Sequence, residues 1–298
     1  MSDLPLLAGL REELIQLAAR VVRANARVEV VGSQLRESSG SAWLFADRLW
    51  VTNYHVVDDA RGKVTLTNGG QQIHGEVIGK DADTDLAVIR AIESIEVKPL
   101  LLRSGAAQLG ELCFAIGAPL GDYADTMSMG IVSGLNRRLP QGDGRVLEDM
   151  LQTDTAINHG NSGGPLVDAD GCVLGVNTAG IDSANNIGFA VPVHTVADIV
   201  PELIESGTIA RATFGAKIDI RKSGISQSYD FVILASSDSH GLLRPGDILR
   251  EINGRPLRHR ADLMSVMRRD VIDRSVPLVI ERDGKKQTIS VTPQRRQK

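Results

Sequence analysis

Gly160-Asn161-Ser162-Gly163-Gly164-Pro165-Leu166 is the most informative stretch of this sequence. Glycines on both sides of a serine permit positive φ angles and the close approach of another chain segment. In such a turn the N–H groups of Gly160 and Ser162 can point at one spot beside the Ser162 hydroxyl. A nucleophile next to paired N–H donors is what acyl transfer requires. The same run is also typical of a flexible turn, so the rest of the chain must distinguish these interpretations.

A serine nucleophile needs a base, and the chain offers six histidines. His55 differs from the others because it lies where an apolar strand ends and a turn begins, within Val51–Val57. The imidazole needs a carboxylate, for which Asp81, Asp83 and Asp85 are candidates. Asp85 leads the apolar strand 86–89 and can face a cleft, whereas Asp81 and Asp83 are typical turn residues. The sequence therefore predicts the order His55, Asp85, Ser162.

Apolar segments of strand length, separated by turn signals, occur in two sets along the chain. The first predicts strands at 28–31, 42–45, 49–52, 63–67, 72–78 and 86–90, and the second at 111–116, 125–132, 147–153, 164–167, 172–177 and 187–190. This spacing is typical of antiparallel barrels or sandwiches. Helical periods are expected over 10–24 and 193–205. Residues 211–294 are expected to form an α+β unit with a helix at 261–269.

Composition and charge limit the class of protein. With 298 residues and 42% apolar content, the chain can form two domains with real cores. Residues 1–207 carry 15 Lys or Arg and 27 Asp or Glu, and residues 208–298 carry 18 and 10. This change of sign favours a domain boundary near 207. The basic half has no aromatic or motif support for nucleic-acid binding, so two differently solvated surfaces are the preferred interpretation.

The termini and cysteines add little specific information. No run of about 18 apolar residues predicts a membrane span. The first residues lack a secretory pattern, which favours a cytoplasmic protein, with a periplasmic or other extracytoplasmic one as the alternative if a leader was removed. Cys113 and Cys172 lie in strand-like runs and are expected to be small buried hydrophobes, with a disulfide as the alternative. Neither lies in a metal-ligand cluster.

Around His55, Asp85 and Ser162 the chain resembles the HtrA/Deg family, in which a chymotrypsin-like serine protease precedes a PDZ domain. Thr52-Asn53-Tyr54-His55-Val56-Val57 resembles the family's histidine motif, and Asp81-Ala82-Asp83-Thr84-Asp85-Leu86-Ala87-Val88 its aspartate motif. Residues 152–166 resemble its serine motif, and the resemblance extends over about 20–293. One departure is Ala42 in Ser39-Gly40-Ser41-Ala42-Trp43, where the family commonly has glycine.

The resemblance implies a mostly β fold: a chymotrypsin-like double β-barrel protease domain followed by a small α+β PDZ domain. The implied domains are a helical segment at 1–27, the protease domain at 28–193, a connecting helix at 194–210 and the PDZ domain at 211–294. Leu242-Leu243-Arg244-Pro245-Gly246-Asp247 resembles a PDZ signature.

The resemblance also implies site residues. His55, Asp85 and Ser162 are the implied catalytic residues, and the backbone of Gly160 and Ser162 is the implied oxyanion hole. The implied S1 pocket, which would hold the P1 side chain before the cleaved bond, consists of Ile157, Asn158, Asn177, Thr178, Ala179, Ile187 and Phe189. No charge lies among them, so a small or medium aliphatic P1 residue is implied. Segments 136–148 and 181–186 are the implied regulatory loops, and Phe214, Gly215 and Ala216 the implied PDZ carboxylate-binding residues.

The expected function is that of an ATP-independent serine endopeptidase acting on unfolded or misfolded proteins, with the PDZ domain binding peptide C-termini. The alternative is a latent protease acting mainly as a chaperone or peptide-binding module. No metal, organic cofactor, nucleic-acid partner or membrane span is expected. The resemblance implies a homotrimer, although the N-terminus lacks the aromatic residues that often build one.

Overall fold

The computed structural model describes residues 5–31, 37–60, 63–118, 125–142, 144–180, 186–222, 229–237, 241–258 and 260–296. The chain divides into two compact units, Met1–Thr208 and Ile209–Lys298. The first unit contains two closed β-barrels, and the second is a small α+β domain. The predicted fold class, mostly β with a double barrel, is confirmed.

The first barrel has six antiparallel strands. They are β1 (Asn25–Val31), β2 (Glu37–Ala46), β3 (Leu49–Thr52), β4 (Lys63–Asn68), β5 (Gln71–Asp81) and β6 (Leu86–Ala91), in the spatial order β1-β2-β3-β6-β5-β4. On β4, Val64 and Leu66 are buried while Lys63 is exposed, which is the period of two expected of a strand with one face in a core. Both tryptophans, Trp43 and Trp50, are buried in this barrel.

The second barrel also has six strands. They are β7 (Leu112–Gly117), β8 (Thr126–Pro140), β9 (Val146–Thr153), β10 (Pro165–Val167), β11 (Val173–Gly180) and β12 (Gly188–Pro192), in the order β10-β11-β12-β9-β8-β7. β8 is longer than the strand predicted at 125–132. It pairs with β9 up to Pro140 opposite Val146, because buried Leu139 and Leu147 face each other in this hairpin. Much of segment 136–148 is therefore paired strand.

Three helices complete the first unit. Helix α1 (Pro5–Arg23) begins before the predicted start at residue 10 and buries Leu17 and Val21. The single turn α2 (Tyr54–Val57) follows β3. Helix α3 (Val193–Ser206) packs on β5 and β6 of the first barrel and on β11 and β12 of the second. It ends at Gly207, whose φ of 72° lets its N–H bind the carbonyl of Leu203.

The second unit is built on one antiparallel sheet in the order β14-β15-β16-β18-β19, with a separate β13–β20 pair. Its elements are β13 (Ala212–Thr213), β14 (Ala216–Lys222), β15 (Tyr229–Ser236), β16 (Ile248–Ile252), β17 (Arg255–Pro256), α4 (Arg260–Val266), a 3-10 turn (Arg269–Val271), β18 (Val276–Arg282), β19 (Lys285–Val291) and β20 (Gln294–Arg295). Helix α4 is shorter than the predicted 261–269 because the backbone at Arg268 is extended. Across the described residues of both units, no helix is long and apolar enough to span a membrane.

Candidate active site

His55 lies on the one-turn helix α2, directly after β3. Its neighbours Val56 and Val57 are buried and anchor the turn, whereas 46% of the His55 side chain is exposed. The Nδ1 atom lies 2.9 Å from Oδ2 and 3.0 Å from Oδ1 of Asp85, and the backbone N–H of His55 donates to Oδ1 at 3.0 Å. A carboxylate at Nδ1 favours a proton on that nitrogen, which leaves the Nε2 lone pair available to accept a proton.

Asp85 is buried, with 5% of its surface exposed, and has a φ of 56°. A left-handed backbone is costly for a residue other than glycine and must be stabilised by its surroundings. Here the Asp85 carbonyl accepts two hydrogen bonds, from the Tyr54 N–H at 3.1 Å and from Asn53 Nδ2 at 2.9 Å. This conformation turns the carboxylate toward His55 at the point where β6 begins.

The other two aspartates of the motif do not make this contact with His55. Asp81 ends β5, and its Oδ2 accepts the Thr84 hydroxyl at 2.6 Å. Asp83 lies in the turn between β5 and β6. The structure thus brings Asp85 to the histidine, whereas Asp81 binds Thr84 within the turn that also contains Asp83.

Ser162 lies in a tight turn between β9 and β10. Gly160 and Gly163 have φ angles of 100° and 88°. The turn is closed by hydrogen bonds from the Asn161 N–H to the Asn158 carbonyl and from the Gly164 N–H to the Asn161 carbonyl, both at 3.0 Å. Within the described part of the chain, the N–H groups of Gly160 and Ser162 donate to no acceptor. These two donors are therefore available to an oxygen placed beside Ser162.

The Ser162 hydroxyl is engaged by the protein backbone in this structure. Its Oγ donates to the carbonyl oxygen of Thr178 on β11 at 2.6 Å, and among the described residues no hydrogen bond joins it to His55. Hydrogen bonds between catalytic groups are often absent or long without substrate and form in the complex. Rotation of Ser162 about its Cα–Cβ bond would release Thr178 and redirect the hydroxyl.

The two barrels bind each other beside these residues. Ser41 on β2 donates its N–H to the Ser162 carbonyl at 2.8 Å and its hydroxyl to the Gly160 carbonyl at 2.7 Å. Asn53 Nδ2 donates to Thr178 Oγ1 at 3.2 Å, and both residues are buried. The histidine-bearing and serine-bearing halves therefore share one tightly packed boundary.

The residues expected to form an S1 pocket fall into two groups. Ile157 and Phe189 are largely buried, and a Cβ added at Gly188 would lie 2.8 Å from Ile157, so Ile157 packs against the start of β12. Ile187 precedes them and is half-buried, and Asn158 is exposed. Ala179 pairs with Phe189 across β11 and β12.

Asn177 and Thr178 are instead held by hydrogen bonds inside the protein. Asn177 Nδ2 donates to the carbonyls of Ile116 and Pro165 at 3.1 and 3.2 Å. The Thr178 hydroxyl donates to the Val176 carbonyl at 3.3 Å. The apolar wall of the expected pocket therefore comes from Ile157 and the start of β12.

Segment 136–148 reaches the loops that carry the histidine and the aspartate. Arg145 Nη1 donates to the Ala82 carbonyl at 2.7 Å, and its guanidinium lies 5.1 Å from the centre of the Tyr54 ring. Lys80 Nζ lies 5.5 Å from the same ring. Cation–π contacts at these distances are attractive, so the β8–β9 hairpin is linked to the residue next to His55. The other expected regulatory loop is segment 181–186. Residues 181–185 of it lie outside the described residues.

In the second unit, the expected carboxylate-binding residues lie between β13 and β14. Phe214 is buried, Gly215 has a φ of 68°, and Ala216 begins β14. Within the described residues β14 has one neighbouring strand, β15, so its other edge can accept a peptide strand. The Gly215 N–H donates to the Thr213 hydroxyl at 3.1 Å, and the Gly215 carbonyl accepts both the N–H and the hydroxyl of Ser237 at 2.8 Å.

Neither cysteine has the environment of a reactive or metal-binding thiol. Both are free. Burial raises the pKa of the Cys113 thiol to about 11, and burial likewise raises the pKa of Cys172. Among the described residues no group of three or more His, Cys, Asp or Glu side chains could hold a metal ion.

Sequence reasoning missed two residues of this site, Ser41 and Asn53. Both lie in segments that were singled out, the glycine-rich run at 39–43 and the histidine motif. Their contacts bridge 119 and 125 positions of sequence. A fully buried serine or asparagine side chain must find hydrogen-bond partners, but the sequence does not show which ones.

Comparison with known proteins identifies the relatives of this fold and site. A trypsin-like peptidase domain model matches residues 40–176, and a PDZ domain model matches 229–292. The chain is 33% identical over 265 residues to Protease Do-like 1, chloroplastic, of Arabidopsis thaliana, covering 81% of this chain and 60% of that protein. It is 32% identical over 284 residues to Serine protease Do-like HtrA of Lactococcus lactis, covering 86% and 68%.

A solved structure agrees with the sequence relatives. The HtrA-type protease AlgW with tripeptide superposes with a TM-score of 0.82 at 28% identity, covering 95% of this chain and 97% of that chain. The chain spans about 60% of the length of the Arabidopsis relative. By its two domain matches, its Lactococcus relative and this structural likeness, the chain belongs to the HtrA/Deg family of serine proteases with a PDZ domain.

Proposed function

We propose that the protein is an ATP-independent serine endopeptidase that cleaves unfolded or misfolded proteins. His55 acts as general base and then as general acid, Asp85 orients and stabilises its imidazolium, and Ser162 is the nucleophile. The observation that carries this proposal is the double contact of the Asp85 carboxylate with His55 Nδ1, at 2.9 and 3.0 Å. It leaves Nε2 as the nitrogen that can take a proton.

The chemistry follows from the arrangement once the Ser162 hydroxyl has left Thr178. Oγ attacks the scissile carbonyl carbon, and its proton passes to His55 Nε2. The carbonyl oxygen gains negative charge, which the N–H groups of Gly160 and Ser162 would stabilise. The C–N bond then breaks, the amine leaves with the proton from His55, and water repeats the sequence on the acyl-enzyme. No metal or organic cofactor takes part.

The uncharged, apolar character of Ile157 and Phe189 supports a preference for valine, alanine, leucine or similar side chains at P1. A hydrophobic pocket without a charge cannot pair with Lys or Arg. The expected S1 residues are Ile157, Asn158, Asn177, Thr178, Ala179, Ile187 and Phe189. In the PDZ domain, Phe214, Gly215 and Ala216 would receive a peptide C-terminal carboxylate, with the peptide adding to the edge of β14.

Casein digestion by the wild type and by Ser162→Ala tests the activity. The wild type should cut casein without ATP, mostly after aliphatic residues, and Ser162→Ala should lose about 10⁴- to 10⁶-fold in kcat. Casein left intact by both would favour the rival, a latent protease acting as a chaperone or peptide-binding module. Dominant cuts after Arg or Lys would reject the proposed pocket.

Peptide titration tests the PDZ assignment separately. A peptide with an apolar free C-terminus should bind Ser162→Ala protein, and the same peptide with an amidated C-terminus should bind at least tenfold more weakly. Equal binding of both peptides would contradict carboxylate capture by residues 214–216.

Location and assembly are further parts of the proposal. Relatives include proteins named chloroplastic and probably periplasmic, which supports an extracytoplasmic location over the cytoplasmic one first expected from the sequence. Fractionation of the source cells would test this, since recovery only with cytoplasmic markers would contradict it.

The homotrimer implied by the family resemblance is tested by light scattering of the purified protein, where a monomer mass would exclude it.

A further inference from the structure

Ser41 is a fully buried residue of the first barrel whose contacts lie largely in the second. Its hydroxyl donates to the Gly160 carbonyl at 2.7 Å and accepts the Ala118 N–H at 2.9 Å. Its backbone N–H donates to the Ser162 carbonyl at 2.8 Å. Two of these three bonds therefore end on the residues whose N–H groups form the proposed oxyanion hole.

These two bonds fix the peptide groups on either side of the one that carries the Ser162 N–H, one of the proposed oxyanion donors. Peptide groups are planar, so a carbonyl held at its oxygen orients the whole group. The Gly160 carbonyl belongs to the peptide group before the Asn161–Ser162 group, and the Ser162 carbonyl belongs to the group after it. The group that bears the Ser162 N–H is thus held from both sides by one residue of the opposite barrel.

A further hydrogen bond fixes the Gly160–Asn161 peptide group, so that both its oxygen and its N–H are held. The Gly160–Asn161 group is bound at its oxygen by Ser41 and at its N–H by the Asn158 carbonyl. Gly160 itself has a φ of 100°. The direction of the Gly160 N–H depends on this backbone conformation, and the Ser41 hydroxyl holds the carbonyl of the same residue.

The packing around Ser41 leaves little room for another arrangement. A Cβ on Gly163 would lie 2.1 Å from the Ser41 carbonyl oxygen, and a Cβ on Gly40 would lie 2.9 Å from the Ser162 carbonyl oxygen. Serine is the smallest side chain that both donates and accepts a hydrogen bond. Alanine at 41 would leave the Gly160 carbonyl and the Ala118 N–H without this partner.

We propose that Ser41 is a positioning residue for acyl transfer: from the first barrel, its hydroxyl holds the oxyanion turn of the second barrel in its productive geometry. This inference rests on the proposed function. Ser41 does not touch the substrate and acts through the backbone of Gly160 and Ser162. Its removal should therefore weaken stabilisation of the transition state more than binding of the ground state.

The test compares Ser41→Ala with the wild type, with activity expressed per active site titrated by a fluorophosphonate. We expect kcat to fall roughly 10- to 100-fold with KM changed less than about threefold. Affinity for a peptide boronic acid with valine at P1, whose tetrahedral adduct places an oxygen in the oxyanion hole, should fall by a similar factor to kcat. Affinity for the corresponding peptide amide should stay within about threefold.

Ser128→Ala is the matched control, because the Ser128 hydroxyl also donates to a second-barrel carbonyl, that of Ala156, at 3.1 Å. It should retain kcat within about twofold. If Ser41→Ala does not fold, Ser41→Cys gives the same comparison, since the thiol is a weak donor of larger volume. Unchanged kcat per titrated site, or equal losses of boronic acid and amide affinity, would overturn the inference. An inactive wild type would instead overturn the proposed function.

Discussion

In the first barrel, the hydrogen bonds of His55 and Asp85 join residues of that barrel and the second barrel reaches their neighbours Asn53 and Tyr54, whereas in the second barrel two carbonyls of the Ser162 turn are bound directly from the first. The Asp85 carboxylate binds the ring and the backbone N–H of His55, and the Asp85 carbonyl is bound by Asn53 and the Tyr54 N–H. The Ser162 turn has its own internal bonds, but two of its carbonyls are bound by Ser41.

This difference separates two tasks that a serine protease must combine. The acid–base pair needs only the correct mutual orientation of two side chains, which one barrel can supply. The nucleophile also needs two N–H donors at fixed directions, and a glycine-rich turn is intrinsically free in backbone conformation. The close contact between the barrels restricts that freedom, so on the proposed residue roles the boundary serves catalysis as well as the fold.

The largest effect is expected inside the first barrel. Asp85→Asn keeps the shape of the side chain but can donate to Nδ1, which favours the wrong imidazole tautomer and should lower kcat about 10⁴-fold. Asp83→Asn is the matched control and should change kcat less than about threefold. Steady-state kinetics on a short peptide would measure both, and a larger loss in Asp83→Asn would contradict the assignment of the base's partner.

The second effect tests the dependence of the serine turn on the first barrel. Gly163 and Gly110 have similar φ angles, 88° and 85°, but an added Cβ meets the Ser41 oxygen at 2.1 Å in one case and nothing within 4 Å in the other. Both Gly→Ala substitutions should incur strain of about 1–2 kcal/mol. Gly163→Ala should also displace the turn and lower kcat/KM roughly 100-fold.

Gly110→Ala serves as the control for backbone strain alone, so it should lose stability but little activity. Thermal unfolding and kcat/KM of the two variants, measured side by side, separate the two contributions. If Gly163→Ala retained the activity of Gly110→Ala, the serine turn would not depend on its contact with Ser41.

The third effect tests whether the acid–base half is independent of the second barrel. Thr178→Val keeps the side-chain shape but removes the hydroxyl that accepts from Asn53 Nδ2 at 3.2 Å. Loss of a buried partner should cost about 1–3 kcal/mol of stability. The pH at which kcat/KM falls on the acid side should match the wild type, because Asp85 still holds His55. A shifted acid limb would show that the second barrel also controls the histidine.

The smallest effect concerns His194 on α3 and Asp149 on β9, which form a hydrogen-bonded pair in the first unit. His194 Nε2 lies 2.6 Å from Asp149 Oδ2, and this hydrogen bond raises the pKa of His194, with Asp198 adding a smaller attraction. A raised folded-state pKa gives stability that is present below about pH 6.5 and lost as pH rises through the raised value.

His194→Gln should therefore lower the free energy of unfolding by less than about 1 kcal/mol at about pH 5.5 and by less still at about pH 9. Denaturant unfolding at the two pH values measures this difference. Activity per titrated site should be unchanged, and a pH-independent difference in stability would contradict the ion pair.

The sequence was sufficient for much of the fold because apolar segments of strand length lie between clear turn signals, and strands such as β4 and β18 alternate buried and less buried residues. It also selected Asp85 over its neighbours by position at the head of an apolar strand. It could not indicate that β8 continues to Pro140 as a hairpin, since that pairing depends on Leu139 facing Leu147. Nor could it show Ser41 beside Gly160 or the Ser162 hydroxyl on Thr178, because these contacts form only when distant segments are brought together.

Mapping the site of fluorophosphonate labelling tests the central claim most directly, namely that Ser162 is the activated nucleophile of the double barrel. Folded wild-type protein is treated with the probe, digested with trypsin and analysed by mass spectrometry, with Ser162→Ala as control. We expect one adduct, on Ser162, that is absent from the variant and forms far more slowly in Asp85→Asn. An adduct on a different serine, or folded protein that remains unlabelled, would contradict the account.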